Sequence, residues 1–179
     1  SFGIACFYAF LSGAPLVADK VLNLPPSHLG FYMGSITGAF LVGSFISNRL
    51  AKHTTSTKLV LAGRTISVLG LSLGLIIVMF GNVSSLSIFG STLFIGLGNG
   101  MSLPSCYVGV MNVRSDLAGS AAGLSGAMGV AAGAILATMM AAILTENNAA
   151  FGFLSFLLVA KIISLAGAIL AHNLEKNIN

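Results

Sequence analysis

Eight Lys/Arg and four Asp/Glu are all the formal charge that a chain of 179 residues carries. Those residues make up 7% of the chain, against about 25% in an average soluble domain. With 56% of residues hydrophobic and a mean hydropathy of +0.99, an 18.2 kDa globule in water could not cover its own surface. The composition also excludes a disordered chain, which needs low hydrophobicity and high charge. The net charge of +4 and the pI near 9.4 come from a small surplus of bases, not from a basic patch, so nucleic acid is not an expected partner. A helical integral membrane protein remains. A span takes about 20 apolar residues, and the chain has room for six.

Six apolar segments can be drawn, at 2–19, 29–48, 58–80, 86–107, 117–144 and 150–172. The polar residues fall in the breaks DKVLNLPPSH, RLAKHTTSTK, GNVSS, MNVRSD and TENN. Pro25-Pro26 bars a helix from crossing the first break, and Ser115-Asp116 is a good N-cap for the fifth segment. All six segments are expected to be helices, because lipid offers backbone groups no partners. Two cysteines, Cys6 and Cys106, lie in apolar runs and form no disulfide framework. No basic region precedes the first apolar run, so it does not read as a signal peptide. The start on Ser1, directly into apolar sequence, reads as a piece of a longer chain.

Charge sets the orientation. Arg49, Lys52, Lys58, Arg114 and Lys176 lie in the even breaks and the tail, and Lys20 lies in the odd breaks. Basic residues mark the cytoplasmic side, so both ends are expected there. Glycines add a packing signal. Gly30, Gly34 and Gly38 repeat at four-residue spacing in the second segment, as do Gly119/Gly123 and Gly129/Gly133 in the fifth. Small residues let helices in lipid approach closely. The fifth segment, almost all small, is expected to be enclosed by protein on most sides. The bulkier sixth is expected to face lipid.

Four motifs, FLSGAP (10–15), GSFISNRL (43–50), GLGNGMSLPS (96–105) and NVRSDLAGSAAGL (112–124), occur in an order that resembles the C-terminal half of a Bcr/CflA-type multidrug transporter of the major facilitator superfamily. The resemblance covers essentially the whole chain, as helices seven to twelve of twelve. It implies an all-α membrane fold in which two six-helix halves rock about a central cavity. It also implies export of small amphipathic drugs or toxic compounds by proton antiport across the bacterial inner membrane. The implied partners are a small-molecule substrate, protons, the lipid bilayer and an N-terminal six-helix half. The alternative is a carrier of a nutrient or metabolite on the same fold. One departure stands out: the superfamily's loop motif often carries an acid after its first glycine, and here Gly43 leads only to Ser44, Phe45, Ile46, Ser47 and Asn48 before Arg49. A charge relay at Gly43 and Arg49 is therefore weakened, and anchoring at the anionic leaflet is the plainer role for Arg49.

In the superfamily, cavity groups come from the first, second, fourth and fifth helices of a half. The candidates here are Phe7 and Phe10, with Pro15 as a kink; Tyr32 and Ser35; Asn99, Ser102 and Cys106, beside the kink at Pro104; and Ser125 and Met128. Ordinary helix packing is the plain alternative for each. Asp116 and Gly119, at the start of the fifth helix, are implied to meet the other half at a cytoplasmic gate, with simple capping as the alternative for Asp116. Two bases fall inside spans. Lys161 lies 11 residues past Ala150, about 16 Å along the helix and near mid-bilayer, where a lysine costs about 2.5–3.5 kcal/mol. Because the sixth helix is peripheral in the family, a lysine snorkelling at the lipid edge is the favoured expectation over a functional intramembrane charge. Arg64 is expected to snorkel too.

Catalysis is not expected. Asp19, Asp116, Glu146 and Glu175 all lie at helix ends or in loops, so no carboxylate is embedded to carry protons, and the resemblance puts that acid in the other half. His28, His53 and His172 have no metal-ligand spacing, and GLGNG lacks the Lys-Ser/Thr of a phosphate loop. No cofactor is expected. GLSG (123–126) has the form used around the serine of intramembrane proteases, but Ser125 and the nearest histidine, His172, fall at different depths. A six-span protein that pairs with itself is a third possibility, and the absence of buried acids weighs against it.

Overall fold

The computed structural model describes the backbone of residues 2–113, 118–145 and 148–178, and every element within them is helical. The elements are α1 (Phe2–Leu16), α2 (Pro26–Leu50), α3 (Ser56–Met79), α4 (Ser85–Val113), α5 (Ala118–Ile143) and α6 (Ala149–Ile178), with a π-helical turn, Val17–Val21, closing α1. All six are long and apolar enough to cross a membrane, which makes the chain a multi-pass membrane protein. The Ser115-Asp116 cap falls outside the described residues.

Local chemistry sets the boundaries. Past Pro15 the last turn of α1 widens, so that Leu22 N–H reaches the Val17 carbonyl at 3.2 Å. Asn23 then takes a left-handed φ of 48°, which asparagine tolerates, and the chain leaves the helix. Pro25 is extended and Pro26 opens α2, where a missing N–H costs nothing. Gly81, at φ 82°, ends α3 in a Schellman turn: its N–H bonds the Val78 carbonyl and that of Asn82 bonds Ile77. Ser84 and Ser87 cap α4 reciprocally, each hydroxyl accepting from the other's N–H, at 3.2 and 2.9 Å.

Helix α4 lies between α2 and α3, and its GLGNG run explains how. A Cβ at Gly96 or Gly100 would strike the α2 backbone at Ile36 or Phe40, and one at Gly98 would strike Gly63 of α3. Alternate glycines thus press α4 against two helices at once. Hydroxyls bind the same seams: Ser47 donates to the Met101 carbonyl at 3.0 Å and Ser67 to that of Phe94 at 3.0 Å. Pro104 has no N–H to give the Gly100 carbonyl, and Ser44 Oγ bonds it instead at 3.2 Å.

Helix α1 packs against α5 and α6, and α6 also packs against α3. Ser12 donates across the α1–α5 seam to Ala137 at 3.1 Å, and Gly133 of α5 abuts the Tyr8 ring. Two expectations are corrected here. Helix α5 is not enclosed: within the described residues it rests chiefly on α1, and Leu124, Met128, Val130, Ile135 and Met139 are exposed. Helix α6 is not a purely lipid-facing element: Phe153, Leu154, Leu157 and Lys161 sit in the core, while Val159, Ile162 and Ile163 face outward. Small residues mark where a helix can be approached, not whether a neighbour is present in this chain.

Candidate functional site

Two features stand out in the bundle: a cleft between α1 and α2 over α4, and a pair of buried cations beside it. The cleft has a volume of about 270 Å³. Ile4 and Phe7 of α1 form one wall, Ile36, Thr37 and Phe40 of α2 the other, and Gly96, Asn99 and Leu103 of α4 the floor. Its surface is overwhelmingly apolar, and Thr37 and Asn99 are the polar side chains among its lining residues. The close α2–α4 contact at Gly96 and Gly100 is what sets the α2 wall over that floor.

Asn99 links the cleft to the cations. Lys161 is fully buried, and its Nζ donates to Asn99 Oδ1 at 2.7 Å. Asn99 Nδ2 donates to the Gly3 carbonyl at 3.0 Å. The Arg64 guanidinium lies against the Cα of the same Gly3, so that a Cβ there would collide with both terminal nitrogens. Arg64 is 5% exposed, and its Nη1 has no hydrogen-bond partner among the described residues. Cys106 stands beside Arg64, and Cys6, whose thiol points to the Leu157 carbonyl at 3.9 Å, is near both cations. Helices α1, α3, α4 and α6 therefore meet at one polar knot.

This corrects the snorkelling expectation for both bases. The physical reason is the inward placement of α6: once Phe153 and Leu157 face the core, Lys161, four residues past Leu157, shares their face. The knot could have been suspected from one sign in the sequence, two bases and an Asn in spans holding no acid. Nothing in the sequence pointed to Gly3.

The other candidates disperse. Phe7 and Asn99 line the cleft. Phe10 is fully buried, 5.9 Å from the Phe153 ring, and serves as core. Tyr32 stacks on Phe89 at 4.7 Å, and Ser35 donates to the Tyr32 carbonyl of its own helix at 2.7 Å. Ser102 donates to Gly98 in the same way at 2.7 Å. Ser125 bonds back to Ala122 at 3.1 Å, and Met128 is 57% exposed on the open face of α5. Pro104 lies within α4 and lines a second hollow with Ser44, Ser47 and Ser105. The resemblance implies a loop role for Gly43 and Arg49, but both lie inside α2, because nothing before Leu50 breaks the helix. Gly43 packs on the Leu97 backbone, and Arg49 is exposed over the Phe45 ring at 5.4 Å. Gly119 is exposed in the first turn of α5, and Asp116 falls outside the described residues.

Reasoning from the sequence missed Ile4, Ile36, Thr37, Phe40, Gly96 and Leu103. For α2 the structure shows why: Gly96 and Gly100 meet α2 at Ile36 and Phe40, while Tyr32, one turn earlier, meets α4 at Phe89 instead. Among the described residues no three His, Cys, Asp or Glu come together to hold a metal ion. Compared with known families, curated proteins and solved structures, the chain matches none of them.

Proposed function

We propose that this chain is one six-helix half of a major facilitator-type transporter of the Bcr/CflA kind, which exports small amphipathic compounds in exchange for protons by alternating access. The observation that carries the reading is the pair of open glycine faces flanking the cleft. Among the described residues, a Cβ added at Gly30, Gly34 or Gly38 of α2, or at Gly119, Gly123 or Gly126 of α5, would meet nothing within 4 Å. By contrast, Gly43, Gly63, Gly96, Gly98 and Gly100 mark seams where helices touch, and Gly167 of α6 is a single open position rather than a run. In this reading a second half closes on α2 and α5 and turns the cleft into a central cavity. Rocking of the halves opens that cavity to each side in turn. The cleft's largely apolar lining, with Thr37 and Asn99 as its polar side chains, suits an amphipathic ligand. The proton-carrying acid belongs to the other half, since this chain has no carboxylate in mid-span. Both ends of the chain face the cytoplasm of a bacterial cell, and no chemical step is catalysed.

The test is antibiotic accumulation in an efflux-deficient bacterium carrying the full-length gene, with and without a protonophore. Accumulation that falls, and recovers when the proton gradient collapses, is the expected result. Unchanged accumulation of every compound, with the protein present in the membrane, overturns export and favours the metabolite carrier.

A further inference from the structure

We infer that the cleft selects ligands carrying a negative charge and rejects lipophilic cations. The inference rests on the transport reading for its context and on the polar knot for its argument. Arg64 and Lys161 are both buried, and both lie within electrostatic reach of one another. Among the described residues no Asp or Glu accompanies them: Asp19 is in the turn that closes α1 and Glu175 is near the end of α6, while Asp116 and Glu146 fall outside the described residues. A buried charge requires pairing, and two neighbouring charges of one sign require it more. Lys161 is met by a neutral amide oxygen, and Arg64 Nη1 by nothing among the described residues. The knot is therefore a fixed positive centre in search of an anion.

Asn99 belongs to both that centre and the cleft. It lies on the floor, and its Oδ1 accepts from the Lys161 ammonium at 2.7 Å. A carboxylate or sulfonate resting on the floor would lie about two hydrogen bonds from Nζ, in an environment that screens charge poorly. The ligand's apolar body would sit between Phe7 and Phe40. At about 270 Å³ the cleft is at the small end for ligand sites, which fits a body of one or two rings. A cation of the same shape would meet the same field with the opposite sign. Selection thus comes from repulsion as well as attraction.

The experiment is equilibrium dialysis of the purified full-length protein in an uncharged detergent. The probes are 1-naphthoate and the near-isosteric cation 1-naphthylmethylammonium. Naphthoate is expected to bind at least tenfold more tightly than the ammonium. Lys161→Gln and Arg64→Gln are each expected to erase most of that preference. Where the single changes do not fold, Lys161→Met with Asn99→Leu removes the charge and its partner together, and is expected to do the same. Equal or tighter binding of the ammonium overturns the inference, as would happen if a carboxylate elsewhere in the protein already neutralises the knot. So does saturable binding of neither probe, or a preference that survives in every folded variant. The transport reading fails separately. Naphthoate bound with the expected preference but not carried into proteoliposomes leaves the site standing and removes the transport reading; proton-driven export that favours cations does the reverse.

Discussion

The Lys161 ammonium and the Asn99 amide oxygen lie 2.7 Å apart inside the bundle, and the other end of the same amide holds the Gly3 carbonyl at 3.0 Å. One side chain thus ties α6 to α1 through α4. Asn99→Leu leaves a fully buried ammonium without its acceptor, at a cost of about 1.5–3 kcal/mol for a lost hydrogen bond to a charged group. Lys161→Met keeps an unbranched side chain of similar length and removes the charge, so Lys161→Met/Asn99→Leu is expected to be more stable than Asn99→Leu alone. Thermal midpoints of the purified variants in detergent check this. A double variant that melts as low as the two single losses added together would show that the contact is not coupled.

The α3–α4 seam gives a second contrast. A Cβ at Gly98 runs into the Gly63 carbonyl and Ser67 Oγ, and backbone cannot turn aside as a side chain can. Gly98→Leu is expected to cost at least the usual overpacking penalty of about 1–3 kcal/mol and to cut the yield of folded protein sharply. A Cβ at Gly34 meets nothing within 4 Å among the described residues, and Gly34→Leu is expected to leave the yield within twofold of wild type. Size-exclusion profiles of fluorescent fusions report both. Equal yields would mean that the α3–α4 contact is looser than the glycine spacing requires.

Orientation is tested at the loops. The turn after α3 carries Gly81 and Asn82 without a charge; the turn after α2 carries Lys52, and Lys58 follows in the first turn of α3. Bases are retained on the cytoplasmic side. A membrane-impermeant thiol reagent is expected to label Asn82→Cys in intact cells and to label His53→Cys only after permeabilisation. Both residues are exposed, so accessibility does not confuse the result. The opposite labelling pattern would invert the topology and place the chain's ends outside.

Much of the fold was legible because lipid removes choices. Twenty apolar residues between polar breaks have to be a helix, and all six segments are helices. Their ends were less legible: α2 starts at Pro26 and α4 runs to Val113, because polar residues continue a helix readily once it leaves the hydrocarbon. The candidate site was legible only at Phe7 and Asn99. A helix has two or three plausible inner faces, and the choice depends on which neighbour it meets. Tyr32 and Ser35 were chosen for their chemistry, whereas Gly96 and Gly100 turn Ile36 and Phe40 toward the cleft. Lys161 was misplaced for the same reason, since its helix was put at the periphery before its face was known.

The open faces supply the last test. On α5, Gly133 abuts the Tyr8 ring, whereas a Cβ at Gly123, ten residues earlier, meets nothing within 4 Å among the described residues. If glycine spacing on α5 served only the contact with α1, Gly123 would face lipid and a leucine there would be harmless. If α5 meets a second half, the same leucine wedges that seam apart while leaving this bundle intact. In the full-length protein, Gly133→Leu is expected to lower the amount of folded transporter. Gly123→Leu is expected to leave that amount unchanged and to slow export at least tenfold, about 1.4 kcal/mol in the barrier. Export rates divided by the amount of protein in the membrane separate the two effects. Wild-type export in Gly123→Leu would assign this face of α5 to lipid, and the proposal of a second half docking there would lose the observation that carries it.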